Sequence, residues 1–271
     1  MRLFMKRRGI STPVLVILLG AVLIVGGLVV MYFSGYSPVS GREVTEQKDF
    51  SDFTIVKVGT AFQVKIIQSD SYSVSITANE NVMDNIEVSK TGEALTIRVI
   101  PGNTLQMTTL IAEITMPDLQ ELELSGAVHG TVEGFSSTHL LAFSISGASS
   151  LDLADMSAGD VEVTVSGASN VEGGLLAGGD AQFTVSGASS LELDGEANDL
   201  TVDECSGASD LDLSNFPVNN AGVDLSGASR ATVNLDGTLD ADISGASRLE
   251  YIGAPTMGDV NISGGSSINK K

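Results

Sequence analysis

From about residue 120 onward, apolar and polar positions alternate in short runs that return at a near-constant interval. Leu122, Phe143, Val163, Phe183, Val223, Ala241 and Val260 form one apolar column, and Leu124, Ile145, Val165, Val185, Cys205, Leu225, Ile243 and Ile262 form a second, two residues further on. Between them stand Glu123, Ser144, Thr164, Thr184, Glu204, Asp224, Asp242 and Asn261. Period-two alternation predicts a half-buried strand with its apolar side chains inward. Asp203 falls in the first inner column and is expected to mark a local bulge or a coil end.

Each run is followed by Ser-Gly-Ala, with the serine at Ser125, Ser146, Ser166, Ser186, Ser206, Ser226 and Ser244, and by a degenerate Ser-Gly-Gly from Ser263. Glycine reaches backbone conformations closed to other residues, and alanine is small enough to stack at a crowded bend, so the tripeptide predicts a corner. The serine after it, at Ser149, Ser169, Ser189, Ser209, Ser229 and Ser247, is expected to point inward. A second strand follows, as in Leu151-Asp152-Leu153 and Leu191-Glu192-Leu193, with leucines in and carboxylates out. The remainder of each coil, such as Asp194 to Asp199, reads as a loop rich in Gly, Asn and Asp.

Repeats of about 20 residues define a solenoid in which each coil buries its apolar face only against its neighbours. Leucine-rich repeats share that scale, but these coils lack their Asn or Cys position and any helix-forming stretch. The fold class predicted is therefore all-β: a single-stranded parallel β-helix of seven or eight coils. At about 4.8 Å per coil it would extend roughly 35 to 40 Å. Residues 121–268 form the repeat region, and residues 50–120, with strands but no Ser-Gly-Ala, an N-terminal β cap or irregular first coils. Lys270 and Lys271 at the far end suit an edge that resists pairing with another chain.

A different pattern occupies the start of the chain. Residues 13–33 form 21 positions without a charged side chain, enough to cross a hydrocarbon core of roughly 30 Å as a transmembrane helix. Arg2, Lys6, Arg7 and Arg8 lie before it, so residues 1–12 are placed in the cytoplasm. A linker at 34–49 then leads to a β-helix outside the cell membrane. The run exceeds the apolar core of a cleaved signal peptide, roughly 7 to 15 residues.

Charge changes the picture for partners. The chain carries a net charge of -20, and between Ser125 and Glu250 its 20 Asp and Glu face only Arg230 and Arg248 among Lys and Arg. Such a surface repels nucleic acid, so DNA and RNA are excluded as partners. A single cysteine, Cys205, rules out an intramolecular disulfide, and its place in an inner column makes it a small buried hydrophobe.

Three constellations could carry chemistry. Asp152, Glu172, Glu192 and Asp212 fall six residues after successive repeat serines and should stack as a carboxylate ladder. Divalent cations could bridge it, since Ca²⁺ takes 6 to 8 oxygen ligands; the plainer expectation is splayed side chains screened by salt. The six inward serines would bond along the rod, because a nucleophile needs one activated serine and a base, and His129 and His139 are the only histidines. Those histidines, with Glu121, Glu123 and Glu133, match no zinc spacing. Two arginines and no tryptophan equip the flank poorly for cleaving acidic polysaccharides, so no enzyme is expected. Asn261-Ile262-Ser263 is a glycosylation sequon on an outward column.

The lead-in Phe53-Thr54-Ile55, Phe62-Gln63-Val64-Lys65-Ile66 and Tyr72-Ser73-Val74-Ser75-Ile76, then Met116-Pro117-Asp118-Leu119 and the repeated Ser-Gly-Ala-Ser, resembles the putative auto-transporter adhesin, head GIN domain family. The resemblance spans roughly residues 50 to 268. It implies a right-handed β-solenoid on a prokaryotic cell envelope, following a signal or membrane segment, and it brings no catalytic or ligand-binding residues with it. The expected function is a membrane-anchored, non-catalytic adhesion scaffold whose partner is an unknown surface protein or glycan. A sensory or assembly module of the envelope is the alternative.

Overall fold

Alternation and corner glycines together build the coil. In the computed structural model, which describes residues 41–271 except 60 and 103–107, each repeat contributes one strand to an 11-stranded sheet and one to a 12-stranded sheet. The result is an all-β parallel solenoid of about eight turns with about 20 residues per coil. The basic N-terminus, the apolar stretch 13–33 and the linker as far as residue 40 lie outside the described residues. Among the described residues no helix is long and apolar enough to cross a membrane, and the helix present is the four-residue Glu80–Met83.

The strands Val161–Val165 and Ala181–Val185 show how one coil lies on the next. Val161 pairs with Ala181, Val163 with Phe183 and Val165 with Val185, so identical positions stack. All six are at most 1% exposed, while Glu162 and Gln182 face solvent. Parallel pairing in register converts each sequence column into a straight column on the rod.

The Ser-Gly-Ala corner is held by two constraints. Its glycines, from Gly126 through Gly264, all have φ between 71° and 92°, a left-handed conformation that penalises any Cβ. The stacking is also too close for a side chain: a Cβ on Gly187 would lie within 3.0 Å of backbone atoms of Gly167, one coil below. That approach lets the hydrogen-bond ladder run through the bend, with Ala168 N–H donating to Gly147 O and Ala188 N–H to Gly167 O, both at 2.8 Å.

Past the second strand the structure departs from the expected loop. Strands run on to Ala158, Ala177 and Val218, and one reaches Glu196. The pattern concealed this because the chain kinks at Asp155 (φ 54°), Gly173 (φ 131°) and Gly195 (φ 144°), which shifts the alternation. Leu153 and then Met156 point inward, three residues apart, and the pairing slips between them. Such a bulge re-aims the strand. Met156, Leu175 and Phe216 thereby close a third wall of the core.

Asp203 is the second irregularity. Phe183 pairs with Val202 and Thr184 with Glu204, so Asp203 is the extra residue of a bulge, turned outward to accept a hydrogen bond from Gln182. Phe183 of this column meets Phe216 of the other sheet edge to face across the core, with centroids 6.0 Å apart.

The lead-in belongs to the same two sheets but in a different order. Ile55–Gly59 and Gln63–Gln68 pair in parallel with Glu121–Ser125 and His129–Glu133, and Ala94–Val99 and Leu110–Met116 lie one layer further out. Glu43–Lys48, Ser73–Asn79 and Ile86–Thr91 then add antiparallel strands at that end. Ser267–Lys270 and Thr256–Ile262 are the last strands of the two sheets at the other.

Candidate functional site

Side chains available for chemistry are the outward columns, because the repeated inward serines are already engaged. The hydroxyls of Ser149, Ser209 and Ser229 donate to the carbonyls of Ser146, Ser206 and Ser226 at 2.9, 2.6 and 2.9 Å. Ser169 and Ser189 accept from backbone N–H groups of the coil before. All are at most 3% exposed, and none contacts a histidine. Cys205 is fully buried, and burial pushes its thiol up to about 11, so at neutral pH it is an uncharged core residue.

The structure brings the predicted carboxylates together. Asp152, Glu172, Glu192 and Asp212 are register partners in consecutive coils of the 12-stranded sheet. The column begins at Gln47 and Ser75, passes through Glu113, Lys65 and Thr131, and continues beyond the ladder through Thr232, Glu250 and Asn269. Like charges opposite one another on adjacent strands are destabilising. Relief comes at the ladder's ends: His129 Nε2 lies 3.7 Å from Asp152, and the Ser214 N–H donates to Asp212 at 2.9 Å. Burial alone would raise the Asp212 pKa, but the Ser214 hydrogen bonds and the charge of Lys271 outweigh it and hold the carboxyl below its ordinary value. Among the described residues, no three His, Cys, Asp or Glu side chains converge as a metal-binding group.

The histidines and glutamates of residues 121 to 139 are separated by the fold. Glu121 and Glu123 lie on the 11-stranded sheet, where Lys57 bridges them at 3.2 and 2.8 Å. Hydrogen bonds to Glu123, then Glu121, raise the Lys57 pKa. Glu133 lies on the other sheet, 3.4 Å from Lys65. His139 donates to Leu140 O from Nδ1 and meets Asp118 through Nε2 at 2.7 Å, and these two acceptors raise its pKa.

Two further groupings escaped the sequence reading. At the corner opposite Ser-Gly-Ala, the side chains of Asp160, Asp180, Asp199 and Asn220 each accept a backbone N–H from the following coil, at 2.9 to 3.2 Å. Their spacing of 19 to 21 residues was the available signal. On the 11-stranded sheet Asp203, Asp224, Asp240, Asp242 and Asp259 border a recess of about 350 Å³ over Gly222. Partial burial, then Asp242 and Glu204, raise the Asp224 pKa.

A model of the family described as putative auto-transporter adhesin, head GIN domain, matches residues 52–255. The chain belongs to this family. No curated protein matches. Among solved structures it is similar to a putative adhesin from Parabacteroides merdae, with 18% identity, 85% of this chain and 97% of the other covered, and a TM-score of 0.78. A putative adhesin from Parabacteroides distasonis gives 18% identity, 85% and 98% coverage, and a TM-score of 0.76. A putative lipid binding protein from Parabacteroides distasonis gives 19%, 85% and 97%, and 0.69. At such identities the likeness shows the solenoid fold alone.

Proposed function

We propose that this chain is a membrane-anchored cell-surface β-solenoid that acts as a non-catalytic adhesion or envelope-interaction scaffold. The observation that carries the reading is the division of each coil. Corner glycines and inward serines are consumed in closing the rod, while the outward residues change from coil to coil and remain exposed. A rigid column of exposed, varying side chains is a surface for recognition. None of the inward serines lies beside a base, as nucleophilic catalysis would require; on the outer face the Ser150 hydroxyl does meet His129 Nδ1 at 2.6 Å, with Asp152 3.7 Å from Nε2.

The apolar stretch 13–33 supplies the anchor in this reading, and the basic residues before it place the solenoid outside. Family relatives named as putative adhesins support surface exposure. Protease shaving of intact cells tests it: cleavage within residues 41–271 is expected, and full protection would refute the outward placement. Binding of the full-length chain to whole cells and to a glycan array tests adhesion itself.

A second reading, an assembly module of the envelope, is favoured by the last strands of the sheets. Thr256–Ile262 forms an edge with Met257 and Ile262 exposed. Concentration-dependent lengthening of particles in solution would support it.

A further inference from the structure

We infer that Arg230 and Arg248 form a recognition site for a single oxyanion, the carboxylate of an acidic sugar at the end of a glycan. The two arginines are register partners on adjacent coils and the only Lys or Arg between Ser125 and Glu250. Coils before them carry Ser150, Asn170, Ser190 and Asp210 in the same column. Stacked like charges destabilise a sheet, so nothing in the folding of the rod calls for this pair.

Each guanidinium has one carboxylate at the outer limit of an ion pair and no closer partner among the described residues. Arg230 lies 3.9 Å from Asp210 and Arg248 lies 3.9 Å from Glu250, and neither guanidinium donates a hydrogen bond within the described residues. More than half of each side chain is exposed, at 58% and 55%. The carboxylate ladder also breaks here: the position beside Arg230, occupied by an acid in the four coils from Asp152 to Asp212, is Thr232. Thr232 thus leaves the carboxylate ladder with a gap between Asp212 and Glu250.

The pair borders a cleft of about 250 Å³ floored by Ala208, Ala228 and Ala246, the corner alanines of three consecutive coils. That is below the roughly 300–1,000 Å³ that encloses a drug-sized ligand, so it suits one terminal group rather than a chain. Guanidinium forks match a carboxylate through paired hydrogen bonds. Asp210, which lines the cleft, can accept hydrogen bonds from sugar hydroxyls. The surrounding acids select against other anions: Asp212 and the rest of an acidic surface repel a polyanion or an anionic bilayer, while a lone carboxylate on a neutral, hydroxyl-rich body is tolerated.

This inference rests on the adhesion reading, and the two can fail separately. With the full-length chain in detergent micelles, saturation-transfer NMR is run against 3′-sialyllactose, lactose, heparin and phosphatidylglycerol vesicles. Binding of sialyllactose in the millimolar range or tighter is expected, with lactose at least about tenfold weaker, corresponding to about 1.4 kcal/mol. Arg230→Ala and Arg248→Ala should each weaken sialyllactose about tenfold, and Arg230→Lys, which keeps the charge without the fork, should weaken it less. Unchanged circular dichroism and melting would show that each variant folds. No sialyllactose binding, or binding indifferent to all three substitutions, overturns the site; whole-cell binding that persists then leaves adhesion standing. Arginine-dependent binding of heparin or the vesicles in place of sialyllactose also overturns it, and failure to bind any cell or glycan removes both readings.

Discussion

The Ser-Gly-Ala corner and the outward columns lie a few residues apart in every coil, yet they answer to different physics. At the corner, backbone packs on backbone, so one atom too many has nowhere to go. On the outer face, side chains end in solvent and neighbours can move. The repeated part of the sequence is therefore the part with least freedom to act, and the varied part is where recognition can reside.

The sharpest way to break this contrast is Gly187→Ala beside Gly222→Ala. Gly187 has φ 84° and sits against the Gly167 backbone, whereas a Cβ on Gly222 would meet nothing within 4 Å. Urea unfolding should show a loss of about 4 kcal/mol or more for the first. The second should be neutral or stabilising by up to about 1 kcal/mol. Equal effects would mean that the corner does not control closure.

Ser229→Ala probes the same corner more gently. Its buried hydroxyl donates to Ser226 O at 2.9 Å and lies within reach of Cys205 O and the Ser247 hydroxyl, so its loss should cost about 1–3 kcal/mol. A change below about 0.5 kcal/mol would show that the serine ladder is not structural.

Acidity should strengthen the fold over a defined window. Asp224 has a raised folded pKa, so its ionisation disfavours the native state and stability returns as pH falls through that raised value, above the ordinary 3.8. His139 is raised too, and its contribution is complete below the ordinary 6.5 and lost as pH rises through the folded value. Asp212 acts in the opposite sense, its contribution vanishing only as pH falls through a folded value below 3.8. The melting temperature should therefore rise from pH 7.5 to about 5 at low salt, and less so at high salt. A fall over that range would contradict the stabilising contacts of His139 with Leu140 O and Asp118.

The smallest effect is expected in the middle of the ladder. Glu192→Gln should change stability by no more than about 0.5 kcal/mol, with a slight gain the expected sign. Calorimetry with Ca²⁺ at matched ionic strength completes this test. Without convergent ligands no calcium-specific heat is expected, and a calcium-dependent melting shift removed by Glu192→Gln would instead make the column a bridged cation site.

Legibility followed distance along the chain. The strand before each serine, the inward Ser149 series and the stacking of Asp152 on Glu172 could be read because a parallel solenoid turns a 20-residue period into spatial adjacency. The third wall could not, since the kinks at Asp155 and Gly173 reset the alternation and present Met156 and Leu175 as loop residues. Lys57 was silent as well: its partners Glu121 and Glu123 are more than 60 residues away. In the lead-in, Ala94–Val99 lies outside Ile55–Gly59 although it comes later in the chain, an order set by packing with no local signature.

The sequence by itself determined the coil: its period, its inner and outer faces, and glycine at the corner, because each depends on the near-local geometry of one repeat. Only the tertiary structure decided which outward charges are closely paired and which are held loosely. Lys57 and His139 find close partners, whereas Arg230 and Arg248 are left side by side with carboxylates held at 3.9 Å. Charge pairing depends on ångström separations between coils, and a repeat period fixes who stands beside whom without fixing whether they touch.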